Sequence, residues 1–247
     1  MLGFNGGLLG KRREPTVGAA SGLWFPNEQS VAERAGIWPV SPLEDPYFQN
    51  VSLLLHMDGS NGSTTITDSS SSALTVTANG NAQISTAQSK FGGASGVFDG
   101  NGDFVSFDPS VTVGASQDVT LECWFYRRAG ESLIGTNWLG LNFQLLTVLQ
   151  GRLFAYWNGP EVEGGTVADN TWNHAAITRS SGTLRLFLNG TQVASASGST
   201  ANFVINQVGK VIYRQDFDGY IDDVRITVGV ARYTSNFTPP TAPFPSA

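Results

Sequence analysis

The stretch from Trp172 to Gly190 constrains the fold of this chain more than any other part of the sequence. It reads WNHAAITRSSGTLRLFLNG, which is two apolar runs joined by a Ser-Ser-Gly turn. In the second run Leu184, Leu186 and Leu188 alternate with other residues, and this period of two places the leucines on one face of a β-strand. Asn189-Gly190 is typical of a tight hairpin turn, because both residues tolerate a positive φ angle. The stretch therefore predicts a β-meander.

A second stretch, GYIDDVRIT from Gly219 to Thr227, predicts a strand that contains two adjacent aspartates. Val224 and Ile226 lie two residues apart and are expected to face the core. Strict alternation then places Asp222 on the same inward face and Asp223 on the opposite face. An inward carboxylate needs a partner, because an isolated buried charge is too costly to keep.

Composition limits the class of protein. The 247 residues suffice for one large domain or for one domain with an arm. Only 14% of the residues are charged and the net charge is −6, which disfavours binding to nucleic acid or to an anionic membrane. No apolar run approaches the roughly 18 residues of a membrane-spanning helix, so no membrane insertion is expected. The single cysteine, Cys123, excludes an intrachain disulfide framework and is expected to be a buried thiol.

Residues 1–46 differ from the rest of the chain and are predicted to form an N-terminal arm. They are rich in glycine, then basic, then rich in small residues, so they cannot form a core of their own. A short helix is expected from Glu28 to Ala35. No longer apolar block follows the basic residues, so no secretory signal peptide is predicted. The large and basic side chains either fold back on the main domain or dock on another protein, and the candidate docking residues are Arg12, Arg13, Trp24, Phe25 and Trp38.

Several residues of the two strand-forming stretches resemble the laminin-G-like branch of the concanavalin A-like jelly rolls. They are Trp172, His174, Ala176, the LFLNG turn and GYIDDVRIT. The resemblance implies an all-β, antiparallel sandwich over residues 47–238, preceded by the extended arm and followed by a Pro-rich tail over residues 239–247. It leaves the function open, because this fold hosts lectins, enzymes and purely structural modules.

Four further phrases, LLLHMDG, STAQSKFGG, FDGNGD and ARYTSNFTPPTAPFP, resemble those of bacteriophage virion proteins with laminin-G-like domains. The opening GGLLGKRREPT resembles an arm on virion proteins of aquatic tailed phages. This resemblance implies a non-enzymatic structural protein of the virion, either a capsid decoration or a tail appendage. Its partners would be other virion proteins, with several copies of the chain on each particle. A carbohydrate-binding adhesin that contacts host glycans is the second hypothesis, and a glycan hydrolase is the third.

Catalytic patterns are missing from the sequence. Laminarinase-type hydrolases of this fold carry two carboxylates on one strand in a Glu-x-Asp-x-x-Glu pattern, and the chain has no such pattern. Glu161 and Glu163 have a suitable spacing but are expected in a solvated loop between Pro160 and a glycine pair. His56 and His174 lie within apolar strands and are expected to be hydrogen-bonded core histidines. The sequence therefore predicts that the protein is not an enzyme.

Two binding sites remain as candidates. The resemblance implies a structural calcium ion where the last strand meets the first, held by Asp222 and by Asp58 at the matching end of the first strand. The alternative is that these aspartates bind backbone N–H groups and cap turns. Trp138 lies in a Gly-flanked loop and is the best candidate for an exposed ring that stacks on a sugar, although such aromatic residues can equally belong to the core.

Overall fold

The computed structural model describes residues 44–136, 143–157 and 160–247. The chain divides into two compact units, of which the first is Met1–Pro46 with Ala247 and the second is Tyr47–Ser246. The predicted helix from Glu28 to Ala35 and all five candidate docking residues lie outside the described residues, and so does Trp138. Within the described ranges no helix is long and apolar enough to cross a membrane.

The second unit is built from β-strands and one short 3₁₀ turn at Phe48–Asn50. The strands are β1 (Val51–Leu55), β2 (Thr75–Asn79), β3 (Gln83–Ser85), β4 (Ser95–Asp99), β5 (Phe104–Val113), β6 (Val119–Ala129), β7 (Ser132–Gly135), β8 (Phe143–Leu149), β9 (Arg152–Trp157), β10 (Glu161–Thr166), β11 (Trp172–Ser180), β12 (Thr183–Leu188), β13 (Thr191–Ser197), β14 (Phe203–Val208) and β15 (Asp218–Val228).

These strands form two antiparallel sheets that enclose one main hydrophobic core. The first sheet has the order β13-β12-β11-β6-β15-β4-β3, and β1 also pairs with β15. The second sheet has the order β10-β9-β8-β7-β14-β5-β2. The prediction of an all-β, antiparallel sandwich is therefore confirmed.

The predicted meander is β11-β12-β13. Ile177 pairs with Leu186, and the alternating leucines of β12 all belong to the core. Asn189 and Gly190 have φ angles of 50° and 78° and form the turn into β13. A Cβ atom on Gly190 would lie 2.0 Å from the carbonyl oxygen of Phe237, so only glycine fits there.

The side chains of the central strand β6 alternate between the two faces of the first sheet. Cys123 and its neighbours two residues away, Leu121 and Phe125, point into the core. Burial raises the pKa of the Cys123 thiol, which makes it an inert core group, as expected. Glu122 and Trp124 lie on the opposite, outer face of the first sheet.

Val224 and Ile226 face the core as predicted, but the predicted inward face of Asp222 is wrong, because a β-bulge interrupts the alternation of β15. Ile221, Val224 and Ile226 all belong to the core, although the first two are three residues apart. The register between β15 and β6 shifts between Asp222 and Arg225, and Asp223 within the shift has a φ angle of 48°. The extra residue reverses the inward and outward alternation of the side chains. Asp222 therefore lies on the outer face, paired with Trp124 on β6. Both aspartates are nevertheless buried, each with 1% of its surface exposed.

The segment after β15 covers the outer face of the first sheet. Thr178 on β11 donates a hydrogen bond to the carbonyl oxygen of Tyr233, and the N–H of Phe237 donates to Gly190. The rings of Tyr233 and Phe237 stack at 3.6 Å. Further along, Phe244 packs against β1 in a small second core. Residues 230–246 are called the C-terminal strap below.

Candidate functional site

The two aspartates of the bulge bind two different segments. The Oδ2 atom of Asp222 accepts hydrogen bonds from the N–H groups of Lys90, at 2.7 Å, and Phe91, at 3.1 Å. Asp223 faces β1 and the strap: its Oδ1 lies 2.7 Å from Nδ1 of His56, and its Oδ2 accepts from the N–H of Phe244 at 2.7 Å. The bulge thus lets one strand anchor a loop and the strap at the same place.

The predicted pair of calcium ligands, Asp58 and Asp222, contacts the same loop. Gly92 has a φ angle of 60°, and a Cβ atom there would lie only 1.9 Å from an oxygen of Asp58. The carboxylate of Asp58 therefore packs directly on Gly92, next to the two N–H groups that Asp222 binds. This arrangement matches the alternative interpretation, in which the aspartates hold a turn, and it also brings two carboxylates to one place.

Asp222 keeps one unsatisfied oxygen. Its Oδ1 atom is buried and has no hydrogen-bond partner. Burial, together with the charges of Asp223 and Asp58, raises the pKa of the Asp222 carboxyl from its usual 3.8 to about 7, against the lowering effect of the two N–H donors. An unpaired buried oxygen near two other carboxylates is the environment in which a proton or a cation is retained.

The oxygen donors around Asp222 fit a calcium ion, which takes six to eight oxygen ligands in proteins. Across the described residues, however, no three carboxylate, imidazole or thiolate side chains lie close enough together to hold one metal ion. Backbone carbonyls and water would have to supply most of the ligands. Calcium at Asp58 and Asp222 therefore stays a prediction.

Replacing Asp222 with asparagine should remove a specific pH dependence of stability. The folded-state pKa of about 7 lies above the usual 3.8, so the folded state holds this proton more tightly and stability falls as pH rises between those values. Wild type should lose about 2 kcal/mol of unfolding free energy between pH 5 and 6.5 that the variant keeps. Urea denaturation of both proteins across this pH range measures the difference.

Bound calcium would lower the pKa of Asp222 and so remove this loss of stability with rising pH, because a cation favours the ionised carboxylate. If calcium binds, a hundredfold excess over Kd should stabilise wild type by about 2.7 kcal/mol, a chelator should abolish the gain, and Asp222→Asn should be insensitive to both. Asp58→Asn is the matched variant for the second ligand. Parallel pH curves for wild type and Asp222→Asn, in calcium and in chelator alike, would contradict both the raised pKa and the calcium prediction.

His56 connects β1 to the end of the strap. Its Nδ1 faces Asp223, and its Nε2 lies 2.9 Å from Oγ of Ser246. The hydrogen bond to Asp223 raises the pKa of His56, while burial acts in the opposite direction. The histidine is hydrogen-bonded, as predicted, although its side chain is 19% exposed. A cleft of about 130 Å³ lies beside it. Asp223 on β15 binds Phe244, and His56 after β1 binds Ser246. Because Phe244 and Ser246 belong to the same segment, these two contacts hold that segment against β15 and β1.

A buried charge network lies under the strap, and the sequence interpretation missed it. Arg225 donates two hydrogen bonds to Oε1 of Glu122, through Nε at 2.9 Å and through a terminal nitrogen at 2.8 Å. The hydroxyl of Tyr233 donates to Oε2 at 2.8 Å, and Nε2 of the fully buried His174 lies 3.3 Å from the same oxygen. Neither ring nitrogen of His174 makes a hydrogen bond with a described residue, so the prediction for His174 is right about burial and wrong about hydrogen bonding. Burial alone would raise the pKa of Glu122, but Arg225, His174 and Arg232 lower it to about 2. The sequence signal that could have revealed this network is Glu122, an acidic residue within an apolar strand.

Glu161 and Glu163 lie in the edge strand β10 and not in a loop, because residues 161–166 pair with β9. Both side chains are exposed on the same face, and Glu163 lies 3.3 Å from the exposed Arg152. The solvated environment that the sequence predicted is therefore present, although the local structure differs.

The aromatic residues separate into core and surface groups. Trp157 is fully buried, and its indole N–H donates to the carbonyl oxygen of Leu145. Tyr220 packs against Tyr126 on the outer face of the first sheet. Tyr213 is 71% exposed and stands in the loop between β14 and β15. Among the described aromatic residues it is therefore the ring most accessible to a ligand.

The two sheets, the enclosed core and the exposed loop between β14 and β15 define a lectin-like β-sandwich. The profile described as the concanavalin A-like lectin/glucanases superfamily matches residues 99–230, just over half of the chain. The chain therefore belongs to this superfamily. A comparison with curated protein sequences gives no match.

Solved structures share the fold at low sequence identity. Domain 4 of AbnA, a GH43 extracellular arabinanase from Geobacillus stearothermophilus, was solved with arabinotriose and has a TM-score of 0.54 at 18% identity, covering 73% of this chain and 93% of that one. The binding domain of Paraclostridial Mosquitocidal Protein 1 has a TM-score of 0.54 at 14% identity, covering 78% and 50%. A Trypanosoma rangeli sialidase mutant has a TM-score of 0.52 at 11% identity, covering 80% and 33%. These similarities establish the fold alone.

Proposed function

We propose that this chain is a non-enzymatic structural protein of a tailed-phage virion, which displays a lectin-like sandwich on the particle surface. Residues 1–46 anchor it to other virion proteins, on the capsid or on a tail appendage, in several copies. The observation that carries the proposal is the division of the chain after Pro46 into two compact units. The resemblance of four phrases to phage virion proteins supports a place on the virion. The β-sandwich is the part of the chain that would be displayed on the particle surface.

Binding to a host glycan is the second candidate function, and it is compatible with a place on the virion. The arabinanase domain that shares the fold was solved with arabinotriose, so a sandwich of this architecture can hold an oligosaccharide. Glycan hydrolysis is the weakest of the three hypotheses. The best carboxylate pair in the sequence, Glu161 and Glu163, lies exposed on the edge strand β10 instead of lining a deep cleft.

Deleting residues 1–46 should leave a soluble, β-rich domain that no longer joins phage particles. The reason is that the main core and both sheets are built from described residues after Tyr47, whereas the composition of residues 1–46 predicts no core of their own. Circular dichroism and thermal unfolding test the fold. Mass spectrometry of purified particles, separated into heads and tails, tests incorporation.

The double variant Trp24→Ala, Phe25→Ala in the full-length chain is the matched control, since it keeps the arm's length while removing two docking groups. It should fold normally and join particles less efficiently. Incorporation of the truncated chain at the wild-type level would refute the anchoring role. Absence of the full-length chain from heads and tails would refute the virion proposal itself.

A further inference from the structure

The loop between β14 and β15, residues 209–217, exposes a ring that the rest of the domain would be expected to bury. Among the described residues only two large hydrophobic side chains are exposed, Tyr47 at 44% and Tyr213 at 71%. The other large apolar side chains of the described residues are at least partly buried. An aromatic ring held in solvent is available for stacking on a ligand.

The backbone at Tyr213 is strained as well. Its φ angle is 62°, in the left-handed region that bulky side chains rarely adopt and that glycine or asparagine normally occupies. Strained backbone of this kind clusters at ligand-binding sites, where the surrounding structure enforces it. The N–H of Arg214 donates to the carbonyl oxygen of Val211 across this position, so a tight turn presents the ring to solvent.

The loop is braced firmly enough to enforce that conformation. The carbonyl oxygen of Gln215 accepts hydrogen bonds from the N–H and the hydroxyl of Ser132 and from the N–H of Glu131. The N–H of Phe217 donates to Gly209, and the ring of Phe217 is fully buried. Tyr213 is therefore presented on a rigid support, which reduces the entropy lost when a ligand binds.

The charges of the loop are paired, which favours an uncharged ligand. Lys210 lies 3.6 Å from Asp216, and Arg214 lies 3.8 Å from Glu131. The guanidinium of Arg214 also lies 5.3 Å from the ring centre of Phe154 on β9, which places the loop beside the second sheet. A sugar ring can lay its apolar C–H face on Tyr213 while its hydroxyl groups reach these polar side chains.

We propose that Tyr213 is the stacking residue of a binding site for neutral oligosaccharides, with Arg214 and Lys210 as neighbouring hydrogen-bond donors. This inference rests on the glycan-binding role given above as the second candidate function. It places glycan binding at the loop over residues 209–217, and it specifies uncharged sugars as the ligands in place of anionic ones.

The test is binding of the full-length chain and its variants to an array of neutral and sialylated oligosaccharides. Wild type should bind neutral glycans, and Tyr213→Ala should bind them at least about tenfold more weakly. Tyr213→Phe keeps the ring and should retain most of the affinity. Tyr47→Ala, which removes the other exposed ring, is the matched control and should bind like wild type. Thermal unfolding should be nearly unchanged in Tyr213→Ala, because the side chain is 71% exposed and contributes little burial.

Three results would overturn the inference, and they differ in what else they exclude. Undiminished glycan binding by Tyr213→Ala would refute this site while leaving the lectin-like role intact. Binding restricted to sialylated glycans would refute the assignment to neutral sugars. No glycan binding by wild type would refute both the site and the glycan-binding role, and loss of particle incorporation by Tyr213→Ala would then show that the ring contacts a virion protein.

Discussion

Replacing Glu122 with glutamine should lower the free energy of unfolding by about 3–5 kcal/mol. The carboxylate is fully buried and accepts two hydrogen bonds from Arg225 and one from Tyr233. The amide keeps the shape but removes the charge, so Arg225 stays buried without its counter-ion. Urea denaturation followed by circular dichroism measures the loss.

Glu163→Gln is the control, since it removes the same charge from an exposed ion pair with Arg152. Exposed pairs contribute roughly 0–1 kcal/mol, so this variant should unfold like wild type. The folded-state pKa of Glu122, about 2, lies below its usual 4.5. Its contribution to stability is therefore complete above about pH 4.5 and lost as pH falls towards 2. Equal stabilities of Glu122→Gln and wild type at pH 7 would contradict the network.

Replacing Arg179 with methionine should cost at least about 3 kcal/mol of unfolding free energy. The guanidinium is fully buried and donates to three carbonyl oxygens, those of Gln117 at 2.7 Å, Ala201 at 2.6 Å and Gly114 at 2.7 Å. It thus ties the loop before β6 to the segment before β14. Methionine fills much of the space but removes all three of these hydrogen bonds, and thermal unfolding should show the loss as a large drop in Tm.

Two comparisons separate the hydrogen bonds of Arg179 from its bulk. Arg179→Lys keeps a charge and a long side chain, but an ammonium group lacks the planar fork that reaches three acceptors, so most of the loss should persist. Arg152→Met changes the same residue type at an exposed position of β9 and should be nearly neutral. A wild-type Tm in Arg179→Met would show that the three hydrogen bonds do not stabilise the domain.

The alternation of apolar residues was enough to predict the meander of β11, β12 and β13, whereas the sandwich was expected from the resemblance to laminin-G-like jelly rolls. The leucines of β12 and the Asn189-Gly190 turn follow directly from a period of two and from φ preferences. The same rule was wrong for β15, because Ile221 and Val224 share a face across a bulge. A bulge depends on contacts with neighbouring strands and loops. Here those contacts are made by the loop at Lys90 and by Phe244, which are far from the bulge in the sequence.

The site residues show the same division between local and long-range information. Asp58 and Asp222 both contact the loop at residues 90–92, whereas the sequence paired them only through the resemblance that implies a calcium site. The clamp of His56 and the partners of Glu122 could not be predicted, because the strap that supplies Phe244 and Tyr233 had no strand or helix pattern to place it. The special position of Tyr213 depends on a φ angle and an exposure that no local pattern encodes.

The position of β1 has a consequence for the order in which the domain folds during synthesis. β1 pairs with β15, and His56 at its end contacts Asp223, 167 residues further along the chain. The ribosome therefore releases β1 long before its partner exists, while the meander of β11, β12 and β13 can form as soon as it emerges. Contacts over such separations close slowly, and the apolar face of β1 stays open to nascent-chain chaperones until residues 218–244 have been made.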